Sequence, residues 1–501
     1  MTLNIFYINI YPLINEVFLL INSCFFLIFG AIYSSSFKLK FPLLNLTTQF
    51  FFIQSLTLSF ILILNSNPIL IIGWNKLLIF DAFSFYSKLL VIFFSIIWFT
   101  IYQNYYKIIN FEFWIIILLS IIGICFLLQT YDLLSVYISI EFVSLSFYIL
   151  ASINRNSEFS TESGLKYFIL GAFASALLLF GFSLLYSFTG LTNLQDLLIF
   201  STGYNYDSSP IFSVGFFISI MSIFTSLFLK LGAAPFHFWL PDVYEGCASP
   251  VTAFFAIISK IGILGLFIRL FFTLTSDNFF NTIFAFLFFV IFFSSLIGTS
   301  GAFLQNKWKR FIAFSSINHL SFFLLNLCSL NPNNLNNLFI YLFIYLFLTC
   351  GFFSFFNFFY LYKFPSFFNP RFLNSLKFLN FTNPMLSLSF LIILFSFGGV
   401  PPLAGFFSKY FVLCSAIYDE FFILVFFILV LNCVSGFYYI NLIRKNYFSN
   451  IDFIYLPICY SKSSFSNAFI LSSCSFLFIL IFIDLDIYFL LANLMQTAFL
   501  N

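Results

Sequence analysis

The chain has 501 residues, of which 62% are hydrophobic and only 7% charged, with a formal net charge of +3. Soluble globular domains carry about 25% charged residues, so this composition excludes a soluble enzyme, and its apolar content excludes disorder. No basic patch indicates nucleic acid binding. Apolar runs such as Phe51–Leu64, Ile115–Leu128 and Ile283–Leu296 are long and unbroken, unlike the alternating strands of a β-barrel. We therefore predict an all-α polytopic membrane protein.

In chain order, the apolar runs and the polar breaks between them predict about fourteen transmembrane helices with short connections. The segment Asn67–Phe80 is too short to span a membrane and is predicted to form a hairpin or a loop. The longest polar connections lie near Asp196–Pro210, Lys363–Pro384 and Arg444–Phe465. The predicted spans are 11–33, 48–66, 82–103, 112–129, 131–152, 163–189, 214–238, 248–274, 279–302, 308–329, 335–361, 385–416, 420–442 and 466–492.

The positive residues are distributed unevenly between the two sides of this layout. The even-numbered connections and both termini hold only Lys76 and the helix-end residue Arg269. Because positive loops mark the inner side of a membrane, the odd connections are predicted to face the mitochondrial matrix or the bacterial cytoplasm, and both termini the opposite side. The odd connections hold Lys38, Lys40, Lys107, Arg155, Lys166, Lys307, Lys309, Arg310, Lys363, Arg371, Lys377, Arg444, Lys445 and Lys462.

Four lysines and one glutamate fall inside predicted spans, namely Lys88, Lys230, Lys260, Lys409 and Glu141. A charge at the bilayer centre costs about 2.5–3.5 kcal/mol on insertion scales, so these residues are candidates for a proton pathway. Lys88 lies near the end of its span, where snorkelling or a structural ion pair is an equal explanation. The set contains no arginine, and a buried lysine can lose its proton whereas arginine stays charged, which favours a titrating relay. A Glu141–Lys230 pair is one candidate switch.

Two predicted spans are interrupted by glycine and proline, one at Pro235 and the other at Pro401 and Pro402. Paired interruptions in corresponding places are typical of internally repeated transporters. Pro235 lies 123 residues after Glu112, and Pro401 lies 122 residues after Phe279. We therefore predict two inverted five-helix repeats with broken helices 7 and 12. The predicted organisation is three amino-terminal helices at 1–111, spans 4–8 at 112–274, spans 9–13 at 279–442, and a connecting loop with the last span at 443–501.

The remaining polar groups are less informative. His237 follows the first break and His319 lies in the tenth span. Histidine titrates near neutrality, so each is a candidate either for proton transfer or for a hydrogen-bonded packing role. The nine cysteines include no CxxC pair and are predicted to be small apolar residues of membrane helices. We find no ligand set for haem, structural zinc or an iron–sulfur cluster.

A series of motifs covers residues 130 to 410 approximately and includes Glu162–Phe168, Leu170–Ala176, Pro235–Gly246, Ser249–Phe254, Lys309–His319 and Gly399–Phe406. In this order, the motifs resemble the antiporter-like subunits of respiratory complex I, and most closely its subunit 2 family. Lys260 stands where the subunit 4 and 5 families and Mrp-type antiporters carry a run with histidine. Lys409 stands where the subunit 4 family tends to have glutamate.

The resemblance implies a function and roles for individual residues. It implies a membrane-arm subunit that couples NADH-to-ubiquinone electron transfer to proton translocation, and so contributes to respiratory electron transport and ATP synthesis. Glu141 matches the fifth-helix glutamate that pairs with the seventh-helix lysine, Lys230. Lys260 matches the central eighth-helix lysine, and Lys409 the twelfth-helix lysine on the exit side. His319 matches a polar position near the bridge between the last two.

The resemblance also implies what surrounds the chain. The subunit carries no redox centre and binds no cofactor, because NADH, FMN, iron–sulfur clusters and ubiquinone belong to the rest of NADH:ubiquinone oxidoreductase. The implied partners are subunit 4, subunits 4L and 6, supernumerary subunits and membrane lipids including cardiolipin. The 89 phenylalanines are typical of AT-rich codon usage and favour a mitochondrially encoded chain. The expected location is the mitochondrial inner membrane, with both termini on the intermembrane-space side.

Two other functions remain open at this point. A stand-alone Mrp-type cation/proton antiporter needs no partners and exchanges sodium or potassium for protons, but the sequence has no obvious carboxylate-rich sodium site. A membrane-arm scaffold that has lost pumping has no reason to keep Glu141, Lys230, Lys260 and Lys409 within the membrane.

Overall fold

The computed structural model of this chain is almost entirely helical. Lys38, Lys40, Lys107, Cys459 and Lys462, which entered the sequence predictions, lie outside the described residues. The structure describes residues 9–33, 45–103, 111–203, 210–275, 277–328, 331–358, 361–363, 366–368, 370–377, 379–448, 465–481 and 484–500.

The amino-terminal part contains three long helices and one hairpin. Asp81 starts the third helix, because its carboxylate accepts a hydrogen bond from the backbone of Ser84 at 2.8 Å while the Ser84 hydroxyl accepts one from the backbone of Asp81. The hairpin confirms the prediction for Asn67–Phe80. The elements are a 3-10 turn at Tyr11–Leu13, α1 (Ile14–Tyr33), α2 (Asn45–Leu64), β1 (Ile71–Gly73), β2 (Leu78–Phe80) and α3 (Ala82–Tyr102).

The next part contains seven helices, two of which lie outside the predicted spans: the helix Trp239–Gly246, which follows the first break, and an additional helix that the sequence did not predict. This additional helix begins at Leu194, inside a segment interpreted partly as a polar connection, and buries Leu194, Leu197 and Ser201 on one face. The spacing of these buried residues is that of an amphipathic helix. The helices are α4 (Phe111–Gln129), α5 (Leu133–Ala151), α6 (Glu158–Thr189), α7 (Leu194–Gly203), α8 (Pro210–Leu231), α9 (Trp239–Gly246) and α10 (Ser249–Leu274).

The last part contains nine helices and a second short hairpin. The single span predicted at 466–492 is wrong, because two helices occupy it. Asp484 accepts a hydrogen bond from the backbone of Asp486 at 3.0 Å, and this local contact starts a new helix. The elements are α11 (Asp277–Leu304), α12 (Trp308–Leu325), α13 (Pro332–Phe358), β3 (Leu361–Lys363), β4 (Ser366–Phe368), a 3-10 turn at Leu373–Leu376, α14 (Leu379–Thr382), α15 (Pro384–Gly398), α16 (Ala404–Tyr418), α17 (Phe422–Tyr447), α18 (Phe465–Leu480) and α19 (Asp486–Leu500).

Both predicted helix breaks are present. Helix α8 ends before Gly232 and α15 ends before Gly399, and these two glycines have φ angles of 74° and 79°. The left-handed conformation is readily available to glycine, so the chain leaves each helix at these points. The predicted breaks near Pro235 and near Pro401 and Pro402 are therefore confirmed, with α8 and α9 on the two sides of the first and α15 and α16 on the two sides of the second.

The centre of the molecule is formed by α10 and α13, which are the most completely buried of the long helices. Within the described residues, eleven helices are long and apolar enough to cross a membrane, and α15, α16 and α18 are shorter apolar helices. Helix α4 packs on α5 and α10, while α11 packs on α12 and α17, so the two predicted repeats share a neighbour pattern. The count of fourteen spans and the inversion between repeats stay predictions.

Candidate functional site

Lys260 lies in the centre of the buried helix α10 and is 4% exposed. Its Nζ donates a hydrogen bond to the hydroxyl of Tyr345 on α13 at 3.0 Å and lies 5.0 Å from the centroid of the same ring. This hydroxyl is the one hydrogen-bond partner of the ammonium group among the described residues. The ring face also stabilises a cation. The sequence predicted Lys260 but missed Tyr345, which is inconspicuous in an aromatic-rich apolar helix.

Lys409 lies in the second turn of α16 and is 4% exposed. Its Nζ donates to the carbonyl oxygens of Phe397 and Gly398, at 2.9 and 3.1 Å, and to Oδ1 of Asn432 at 2.7 Å. The two carbonyls end helix α15, where the helix break leaves them without intrahelical partners. The negative end of the α15 dipole therefore stabilises the ammonium group.

His319 lies between these two lysine sites. Its Nδ1 is 2.6 Å from the hydroxyl of Tyr341, and its Nε2, although buried, has no hydrogen-bond partner among the described residues. The centroid of the imidazole is 5.4 Å from the ring of Tyr345 and 5.4 Å from the ring of Phe397. Because Tyr345 binds Lys260 and Phe397 binds Lys409, the structure brings these three predicted site residues into one buried cluster.

Glu141 and Lys230 are placed close to a common cavity but do not form an ion pair in the described part of the chain. The cavity has a volume of about 40 Å³, enough for about two or three water molecules. Lys230 and Ser144 both line it. Ser144 is also 3.4 Å from Oε2 of Glu141, and Glu141 Oε1 has no hydrogen-bond partner among the described residues. The proposed pairing of Glu141 with Lys230 stays a prediction.

Two buried ion pairs lie in the described part of the chain, and for Lys88 they bear out the structural ion pair that the sequence left open. Lys88 does not snorkel, because it forms an ion pair with Glu16 in which the two side chains are 2% and 0% exposed. Arg269 is not a helix-end surface residue, because it is buried against Asp81 at 3.1 Å. The absence of buried arginine was therefore a wrong premise. Each partner lies far away in the sequence, so spacing alone offered no signal for these pairs.

A cluster of charged residues joins α6, α9 and the start of α12 on the side of the odd connections. Asp242 accepts from Lys166 at 2.8 Å and from Arg310 at 2.9 Å, while Glu245 contacts both Lys307 and Arg310. Asp242 and Glu245 belong to the motif that follows the first helix break. The cluster ties this part of the first predicted repeat to the start of the tenth span.

The cysteines of the described residues are free, and among those residues no group of three or more His, Cys, Asp or Glu could hold a metal ion. Burial raises the pKa of the Cys247 thiol, in the connection between α9 and α10, to about 11, so the thiol is protonated at physiological pH. The second histidine, His237, lies in the first helix break, and its ring contacts Phe238 and Phe314. The prediction that the chain binds no cofactor is not tested by these observations.

Comparison with known proteins identifies the family of this site. The sequence model of a family described as "NADH:quinone oxidoreductase/Mrp antiporter, TM" matches residues 130–435. The chain is 35% identical to NADH-ubiquinone oxidoreductase chain 2 of Marchantia polymorpha, over 89% of this chain and 91% of the relative. The chain belongs to the NADH-ubiquinone oxidoreductase chain 2 family. It is also 35% identical to NADH-quinone oxidoreductase subunit N of Bartonella bacilliformis, over 83% of this chain and 84% of the relative.

Solved structures share the fold of this family member. A chain of respiratory complex I from Thermus thermophilus has a TM-score of 0.73 at 23% identity, covering 93% of this chain and 96% of that one. A chain of the Mrp complex from Dietzia sp. DQ12-45-1b has a TM-score of 0.77 at 15% identity, covering 97% of both. The fold is therefore common to both classes of protein and does not distinguish them. The sequence relatives do, and they confirm the resemblance to the subunit 2 family.

Proposed function

We propose that this chain is the proton-translocating subunit 2 of the membrane arm of a mitochondrial NADH:ubiquinone oxidoreductase. Its family membership supports the assignment of the chain to this enzyme complex. The single observation that supports proton transfer is the buried cluster of Lys260, His319 and Lys409, which connects α10 to α16 through hydrogen-bonding and aromatic side chains. Three groups that can each bind a proton are costly in a membrane interior unless they serve transport.

The cluster carries out proton transfer between its two lysines. A proton enters at Lys260 from the side of the odd connections and is held against the Tyr345 hydroxyl. It moves to Lys409 through the region of His319, whose Nε2 has no partner among the described residues and can accept it. Two positive charges in one buried cluster disfavour each other, so loading of Lys260 promotes release from Lys409 towards the even side. Each transfer moves one proton and no electron.

The Glu141–Lys230 pair controls this transfer in the proposal. The cavity that Lys230 lines is also lined by Ile263 and Leu266 of α10, the helix that carries Lys260. A positive charge on Lys230 therefore acts on Lys260 through an apolar medium, where electrostatic interactions are weakly screened. When Lys230 pairs with Glu141, its effect on Lys260 is reduced. Separation of Glu141 from Lys230 therefore disfavours a proton on Lys260, and formation of the ion pair favours it.

The rest of the complex supplies what this chain does not contribute. NADH, FMN, the iron–sulfur clusters and ubiquinone are bound by other subunits, and electrons pass outside this chain. The direct neighbours are subunit 4 on one side and subunits 4L and 6 on the other, with supernumerary subunits and cardiolipin at the periphery. The chain lies in the mitochondrial inner membrane, with its odd connections in the matrix and both termini on the intermembrane-space side.

A stand-alone Mrp-type cation/proton antiporter is the second candidate, because the fold of the Mrp chain is equally similar. Native membranes solubilised in mild detergent and separated on a native gel distinguish the two functions. We expect mass spectrometry to find this chain in a large band that stains for NADH-tetrazolium reductase activity. A chain that migrates apart from every NADH-oxidising band contradicts the proposed function and favours the antiporter.

A further inference from the structure

The ion pair between Glu16 and Lys88 is buried but takes no part in the proposed relay. Lys88 lies in the second turn of α3 and contacts Oε1 of Glu16 in the first turn of α1. Both residues belong to the three amino-terminal helices, outside the two predicted repeats. A fully buried ion pair adds little stability compared with apolar side chains of similar volume, because both charges lose their hydration. Its presence therefore points to a role other than packing.

Buried amide groups without partners lie next to this pair. Asn15 is 7% exposed, and neither Nδ2 nor Oδ1 has a hydrogen-bond partner among the described residues. Gln129, at the end of α4, donates from Nε2 to the carbonyl of Pro12 at 3.0 Å, but its Oε1 has no such partner, and neither has Oε2 of Glu16. Buried polar atoms are normally satisfied by protein or by water, so these groups and the ion pair form a buried polar cluster, called the chamber below, whose unpartnered atoms water can satisfy.

The charges around the chamber are balanced. Arg269 binds Asp81 at 3.1 Å and also donates to the carbonyl of Leu128 at 3.2 Å. Glu16 and Lys88 therefore neutralise each other, and a proton added to Glu16 leaves the Lys88 ammonium without a counter-ion. Helices α2 and α13, which also pack here, carry no charged residue. Besides Glu16 and Lys88, the charged or thiol groups on the packed elements are Cys24 of α1, Asp81 at the start of α3, Glu112 and Cys125 of α4, Lys260 and Arg269 of α10, Cys350 of α13, Cys474 of α18 and the exposed Asp486 of α19.

The chamber lies on the side where the proposed pathway releases protons. Helix α1 starts near the amino terminus, and α3 starts at an even-numbered connection, so Glu16 and Lys88 are both near the even side. On α10, Arg269 follows Lys260 by nine residues, a rise of about 13 Å. The Asp81–Arg269 pair and the chamber thus both lie on the even side of Lys260.

We propose that Glu16 and Lys88, with the amides of Asn15 and Gln129, form a second proton-binding site near the even face of the membrane. The Glu16 carboxylate accepts one proton and becomes neutral, which breaks its ion pair with Lys88. Release of that proton towards the even side restores the carboxylate and the pair. This site rests on the proposed function, because it requires a chain through which protons move.

Replacing the ion pair by two neutral side chains of similar size shows whether proton binding, rather than packing, is what this site contributes. The double substitution Glu16→Gln with Lys88→Met roughly preserves volume and removes both titratable groups, so the complex is expected to assemble. In purified complex reconstituted into vesicles, we expect NADH-driven proton pumping to fall at least twofold. Glu112→Gln changes an exposed glutamate at the start of α4 and is the matched control, expected to pump like the wild type. An assembled double variant with wild-type pumping overturns the proposal.

If the double variant fails to assemble, Glu16→Asp tests proton binding at this site instead, because it keeps a carboxylate. In infrared difference spectra of the complex before and after NADH addition, a band from a protonated carboxyl group is expected to shift in Glu16→Asp. An unchanged spectrum overturns the proposal. Lys260→Met is measured in parallel. Wild-type pumping in Lys260→Met contradicts the proposed function. If Lys260→Met pumps poorly while the Glu16 variants pump like the wild type, only the second site is contradicted.

Discussion

Lys260 depends on a hydroxyl group that the sequence did not reveal. Tyr345 lies on α13, and its hydroxyl accepts the hydrogen bond of the buried ammonium group. Lysines inside predicted spans can be found from sequence, because charge is rare in apolar runs. Their partners cannot, because Lys260 and Tyr345 are separated by 85 residues and meet only when α10 packs on α13. The same reason explains why Glu16 and Asp81 were not recognised as partners of Lys88 and Arg269.

Tyr345→Phe is expected to impair proton transfer without removing the aromatic ring. Hydrogen bonds to charged groups contribute about 1.5–3 kcal/mol, so the loss of this hydroxyl destabilises the protonated form of Lys260. We expect NADH:quinone turnover coupled to pumping to fall about tenfold, corresponding to about 1.4 kcal/mol. Tyr186→Phe on the exposed face of α6 is the control. Equal turnover in the two variants contradicts a role for the hydroxyl.

The broken helices are the elements that sequence predicted best. Gly and Pro act locally, so their effect on a helix can be read without knowing the packing. The exact geometry of the second break could not be read. A Cβ atom at Gly405 would lie 1.7 Å from the carbonyl oxygen of Ser396, so α16 approaches the end of α15 more closely than any side chain permits. This close approach positions Lys409 against the carbonyls of Phe397 and Gly398.

Gly405→Ala is therefore expected to separate the two halves of the broken helix. Overpacking of this kind costs about 1–3 kcal/mol, and the backbone carbonyl cannot move away as a flexible side chain could. We expect less assembled complex on native gels and a lower thermal midpoint. Gly436→Ala in α17 is the matched control, because no atom lies within 4 Å of its added Cβ. A stable Gly405→Ala complex contradicts the close approach.

At the scale of the whole molecule, apolar runs and the polar breaks between them predicted the membrane class, the helical fold and most helix positions. These properties depend on the bilayer and are therefore visible in any stretch of sequence. The additional helix α7 and the division of the last predicted span into α18 and α19 were missed, because short amphipathic or interrupted helices give weak hydropathy signals. Positive charge predicted the orientation of the chain in the membrane.

Labelling of single introduced cysteines measures this orientation. Arg155 and Asn67 are both exposed and lie in an odd and an even connection, respectively. A membrane-impermeant maleimide is expected to label Arg155→Cys only from the matrix side and Asn67→Cys only from the intermembrane-space side. The unsubstituted chain corrects for its exposed native cysteines, Cys24 and Cys433. Labelling of both positions from the same side contradicts the layout.

Proton pumping by Lys260→Met tests the central claim most directly. Methionine has a similar length and no titratable group, so it fills the site but cannot bind a proton. The assembled complex carrying this variant, reconstituted in vesicles, is compared with the wild type for NADH oxidation and for protons moved per NADH. A proton relay through this chain predicts a large loss of pumping or of coupled turnover. Wild-type values for both quantities contradict it.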